Sequence, residues 1–351
     1  MGNFRVKASG IVFISAALLV TACGGGGGGG GGGQTFTPPA ISQTPVAINS
    51  SNQYQVADTA ANGIAGGTSG STVVLGAVID SEPNSISAFE LGKRKFSKYA
   101  VGAATAIDAL PAGVAVSATQ ACDSNTGSVS MSGNVTNTDP TTGYMTAGDS
   151  ISLSFNNCLD NLDGSITNGT ISFTIVTGTV PLNNFGGFTG TVTIATSFNN
   201  LRTTIGGVTD VIHGDFTISS DGTTETLSGN SLYILQTGGV AVHLTNFSMS
   251  VMTVGNVQTS TVDMTIASTE INGLITVRTA SGDPVVQNLF ETHPSAGTLI
   301  ITGSGTTLTM VILSTTQVSL SLDSNSDGTP DAGYPVTITW TEIDNGTAAI
   351  P

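Results

Sequence analysis

The residues best spaced for chemistry lie near the C-terminus, in the run Asp323-Ser324-Asn325-Ser326-Asp327-Gly328-Thr329-Pro330-Asp331. A turning chain with Asp, Asn and Asp at its first, third and fifth places aims their side-chain oxygens at one point. Glycine at the sixth place permits the sharp turn, the seventh residue offers a carbonyl, and the ninth adds a direct or water-mediated oxygen. Hard oxygen donors of this kind suit Ca²⁺. Asp323, Asn325, Asp327, Thr329 and Asp331 are therefore the candidate ligands, with a structural role for the metal. The twelfth place is Tyr334, not a bidentate glutamate, so Glu342 or Asp344 would have to fold back to complete the shell. The plainer reading is a polar hairpin whose acids are solvated.

That run resembles the calcium loops of dockerins and thrombospondin type 3 repeats, which implies the same oxygen-only ligation. Acidic groupings at 139–149 and 160–164 are spaced less regularly and are expected to hold no metal. Catalytic signatures are thin. His213, His243 and His293 are scattered with no ligand spacing between them, and neither H-E-x-x-H nor G-x-S-x-G occurs. The chain reads as a non-enzyme.

Three cysteines carry the remaining chemistry. Arg5 and Lys7 precede an apolar stretch, Ile11–Val20, too short to cross a bilayer, and Val20-Thr21-Ala22 runs straight into Cys23. This resembles the lipobox read by signal peptidase II. The resemblance implies that residues 1–22 are an export signal and that Cys23 becomes the lipid-bearing first residue. Gly24–Gly33 would then begin a tether, and Gly24 in place of aspartate favours the outer membrane, on its periplasmic face or at the cell surface. More than one acyl chain at Cys23 would make the anchor stable. In that oxidising setting Cys122 and Cys158 read as a disulfide.

Composition narrows the partners. Without residues 1–22 the chain keeps six basic residues against 23 acidic ones, a net of −17. Nucleic acid is excluded as a partner, since phosphate binding needs distributed Lys and Arg. Charged residues make up only 9% of the chain, so Ser, Thr, Asn and Gly supply the polar surface.

The elements that must position these groups are strands. Apolar residues alternate with Ser or Thr at Ile151/Leu153/Phe155, Ile171/Phe173/Ile175, Val262/Met264/Ile266, Leu308/Met310/Ile312 and Val318/Leu320/Leu322, among others. Asn168-Gly169, Asp221-Gly222 and Asn272-Gly273 read as hairpin tips. The expected fold is all-β: a long antiparallel meander curled into a barrel or sandwich, forming a single domain over 71–351. One helix is expected around 85–100, and residues 23–70 are expected as a lipidated, glycine-rich flexible linker. Lipobox, glycine tract, the 148–158 stretch GDSISLSFNNC and the acidic loop ahead of Trp340 resemble proteobacterial β-rich lipoproteins without an assigned activity. The expected function is a calcium-stabilised envelope lipoprotein with a binding or structural role. The alternatives are a carrier of a lipid or other apolar ligand and, third, a hydrolase of envelope polymers.

Overall fold

Alternation of apolar and hydroxyl residues builds the domain, seen in a computed structural model that describes residues 35–65, 98, 114–137, 143–162, 164–181, 190–236 and 239–344. The signal segment, Cys23, the glycine run and, apart from the helical Lys98, the helix expected over 85–100 lie outside these residues.

Seventeen strands are described. The first nine are β1 (Val114–Ala121), β2 (Ser128–Val135), β3 (Tyr144–Thr146), β4 (Ser150–Asp160), β5 (Ser165–Thr177), β6 (Thr179–Pro181), β7 (Val192–Ile205), β8 (Val208–Ser220) and β9 (Thr224–Gln236). They continue as β10 (Ala241–Val254), β11 (Val257–Ser268), β12 (Gly273–Thr279), β13 (Val285–Asn288), β14 (Gly297–Thr302), β15 (Thr307–Ser314), β16 (Gln317–Asp323) and β17 (Val336–Thr339). Fifteen of them form one sheet whose order follows the chain from β1 to β17, with β13 attached beside β11; β3 and β6 make a separate ribbon. Every pairing is antiparallel. The all-β meander is therefore present. Among the described residues β1 and β17 do not pair with each other, so hydrogen bonding does not close the sheet.

One face of the sheet is apolar along its whole width. In β4, Ile151, Leu153 and Phe155 are buried while Ser152 and Ser154 point away, and β5, β7, β11, β15 and β16 repeat the pattern. Successive strand residues point to opposite faces, so this alternation places one set in the core and the other towards water.

A line of bulges crosses the long strands. The register shifts at Asn156–Asn157 in β4, at Gly169 in β5, at Asn199–Asn200 in β7, near Phe216 in β8 and at Asn246–Phe247 in β10. Asn157, Asn200 and Asn246 take positive φ there, the conformation asparagine tolerates best after glycine. Asn168-Gly169 thus lies inside β5 and not at a hairpin tip. The turn before β5 falls at residues 161–164, and a β-carbon on Gly169 would come within 2.2 Å of the Asn200 carbonyl oxygen. Only glycine allows that approach.

The expected linker is also corrected. Within 23–70, residues 35–45 strap across the outward face, Val46 and Ile48 join the main core, and 53–65 form helix α1 (Gln53–Ala65) against the apolar face. Phe36 stacks on His213, Ile41 is buried with Ala241 and Ala267, and Val46 exchanges backbone hydrogen bonds with the β12 and β14–β15 regions. In α1, Tyr54, Val56, Ala57, Ala60 and Ala61 are buried, and burial of that stripe outweighs the polar composition around it. Among the described residues, 35–65 accordingly belong to the folded unit. After β17 the chain turns into a short helix α2 (Trp340–Asp344), so Trp340 opens a helix and does not extend the strand.

Candidate functional site

The acidic loop between β16 and β17 is ordered by its own backbone. Asp323 accepts hydrogen bonds from the N–H groups of Asn325 (3.4 Å), Asp327 (3.2 Å) and Gly328 (2.9 Å). Asp327 accepts from the Thr329 N–H (2.8 Å), and its other oxygen accepts from the Asn325 amide (3.0 Å). Asp331 accepts from the Ser324 N–H. Donation from the Thr329 hydroxyl and N–H, then from the Asn325 amide, holds the Asp327 carboxyl below its ordinary value. The five sequence-identified residues thus share one short loop, yet their side chains face the loop's N–H groups. No three acidic, His or Cys side chains among the described residues gather as a metal-holding set. The donor chemistry is oxygen throughout and fits Ca²⁺, but ligation would require these side chains to turn from the backbone to the ion.

The second sequence-identified pair is joined. Cys122 and Cys158 form a disulfide with Cα atoms 5.3 Å apart, linking the end of β1 to the bulged end of β4 across β2. Two residues beyond Cys158 and one beyond Cys122, Asp160 and Asp123 meet the Lys98 ammonium at 2.8 and 2.6 Å. That contact, with the Asn161 N–H, holds the Asp123 carboxyl below its usual range.

The outward face carries a row of hydroxyls that no single stretch of sequence displays. Ser117, Ser132, Ser152, Ser172 and Ser197 stand side by side from β1 to β7. Asp215, Ser231, Thr245 and Thr265 continue the row to β11, and Thr276, Thr302 and Thr307 carry it to β15. Neighbouring strands lie about 4.8 Å apart, which sets the spacing of the row. Between β5 and β9 it borders an open groove of about 340 Å³ lined by Ser172, Ser197, Asp215, Thr217, Asn230 and Ser231, among others.

Ser231 holds the nearest approach to a catalytic geometry. Its hydroxyl lies 2.9 Å from His243 Nε2, and the imidazole stacks on Tyr233 at 3.8 Å. Burial keeps the His243 pKa below its ordinary value, so the ring is neutral at pH 7. His243 Nδ1 is buried without a hydrogen-bond partner among the described residues. A Ser–His pair needs a third group to orient the base, together with donors for an oxyanion. The groove's carboxylate, Asp215, faces Ser231 from the next strand, and the flanking strand N–H groups belong to the ladder. Ser231, His243 and Asp215 place hydrogen-bonding groups on the outward face.

Elsewhere, burial first, then the charges of Glu270 in the β11–β12 turn and Asp344 on α2, raise the carboxyl pKa of Asp58 on α1. Sequence reading identified neither this group nor Ser231–His243, because strand register and helix docking bring their members together and no local motif does. The chain matches no known family model, no curated protein and no solved structure.

Proposed function

We propose that the chain is a lipid-anchored protein of the cell envelope whose β-domain binds or supports without catalysis. The observation that carries this reading is Val20-Thr21-Ala22-Cys23 behind a charged start and a ten-residue apolar stretch, with ten glycines following. Twelve residues separate Cys23 from Phe36, the first side chain in the strap seen to stack on the sheet. Their span is about 45 Å at most when fully extended. The domain thereby stays close to the surface its anchor enters, and the hydroxyl-tiled face offers hydrogen bonds without large apolar exposure. The sheet curls around its apolar face in the manner of a barrel or sandwich, a reading supported by the buried alternate residues of every long strand. Calcium would stiffen the 323–331 loop by drawing its carboxylates off the backbone and onto the ion.

A carrier of an apolar ligand is the second reading. It is favoured by the inner apolar face, which runs the full width of the sheet with α1 lying against it.

Metabolic labelling with palmitate tests the first reading. The wild-type chain is expected to take up label and to shift in mobility when signal peptidase II is inhibited, and Cys23→Ser is expected to do neither. Unlabelled wild-type protein would sink the anchor. Protease treatment of the same intact cells, with and without EDTA, reports the leaflet and whether chelation opens the acidic loop to cleavage.

A further inference from the structure

Helix α1 meets the sheet through carboxyl groups that no described cation neutralises. Asp58 on α1 is half-buried, with one oxygen accepting from the Asn62 amide at 3.0 Å. One residue on, the Thr59 hydroxyl lies 3.5 Å from Glu270 Oε2. Asp344 at the end of α2 adds a third negative charge to the field at Asp58. The helix is seated closely, since a β-carbon on Gly63 would come within 2.8 Å of the Ile266 side chain. Asp58 and Glu270 therefore have little room to draw apart without moving the helix.

We propose that α1 is docked by a proton-dependent carboxyl latch, Asp58 on the helix against Glu270 on the sheet, closed in acid and loosened as the two groups ionise. Burial first, then the charges of Glu270 and Asp344, push the Asp58 carboxyl up to about 7, and burial also raises Glu270. A carboxyl whose docked pKa exceeds its undocked value favours docking fully below the undocked value. That contribution fades as pH rises through the docked value. For Asp58 the window runs from its ordinary 3.8 to about 7.

The remaining neighbours do not reverse the sign. On β11 the charged residue is Asp263, exposed and facing outward, and β15 has no titratable side chain. From α2, Glu342 acts on Tyr54 and adds negative charge. His293 lies 3.3 Å from Asp344. Tyr334 donates to Gln53 Oε1 at 2.7 Å and, like Asp331 beside it, contributes no positive charge. Opening the latch would uncover the part of the inner apolar face beneath α1. The device does not depend on the lipid anchor.

Hydrogen exchange of the mature chain, followed by mass spectrometry over peptides that contain α1, tests the latch. After correction for intrinsic exchange, wild-type protection in α1 is expected to fall roughly fiftyfold between pH 5 and pH 7, one proton's linkage being limited to about tenfold per pH unit. Asp58→Asn keeps the shape and the Asn62 contact, and is expected to flatten the fall to a few-fold; Glu270→Gln is expected to reduce it independently. Asp215→Asn, on the outward face, is expected to leave the wild-type slope intact. A flat wild-type profile, or a full slope retained in both Asp58→Asn and Glu270→Gln, would overturn the proposal.

Discussion

Lys98 places one ammonium between two carboxylates, 2.6 Å from Asp123 and 2.8 Å from Asp160, beside the disulfide. The two acids differ in surroundings: Asp160 is only 1% exposed, whereas Asp123 reaches solvent. Removing a cation from a buried carboxylate leaves charge in a medium that solvates it poorly. Lys98→Met is therefore expected to destabilise the domain by about 3 kcal/mol, chiefly through Asp160, as measured by urea unfolding with an unchanged m-value. If the loss stays under about 0.5 kcal/mol, the pair behaves as a surface bridge. At this scale the sequence was uneven. Cys122 and Cys158, the two cysteines beyond Cys23, declare their pairing because few partners compete. Thr59 and Glu270 sit 211 residues apart and touch only through helix docking, so no spacing rule finds them.

Among the elements, strands were legible because each carries its own periodicity, and short turns then dictate the meander. The failures have physical causes too. Asn-Gly satisfies a hairpin tip and a glycine bulge equally, so Asn168-Gly169 was assigned to the wrong one. Helix α1 escaped notice because alanines supply much of its buried stripe, giving little contrast against a polar run that ends in glycines. The bulge line makes a sharp distinction between two glycines with similar backbones. Gly148 (φ 91°) has open space where a β-carbon would stand, whereas Gly169 (φ 99°) faces the Asn200 carbonyl oxygen at 2.2 Å. Gly148→Ala is expected to cost only the conformational strain, about 1 kcal/mol. Gly169→Ala adds a backbone collision across β5 and β7 and is expected to lose about 3 kcal/mol or more. Thermal unfolding of the two variants side by side separates strain from clash, and equal losses would mean the strands part without cost at the bulge.

At the scale of the whole molecule, hydrogen bonds among the described residues do not tie β1 to β17, and the first strands gain another fastening. The Cys122–Cys158 disulfide supplies one at the β1 end, spanning a sequence separation of 36 residues and bridging two strands that flank β2. In the chain-entropy account, a crosslink of that length restricts the unfolded ensemble and stabilises the folded state by about 4 kcal/mol. Because the effect acts on the unfolded state, it predicts more than a shift in midpoint. Chains lacking the crosslink unfold to a more expanded ensemble and expose more surface, so the m-value rises as the stability falls. Urea unfolding of residues 24–351, compared with the Cys122→Ser/Cys158→Ser form, is expected to show a loss of about 3–4 kcal/mol with a larger m-value. A similar loss at constant m-value would instead place the effect in the folded state, at the packing of Cys158, which is fully buried next to the inward-facing Thr167.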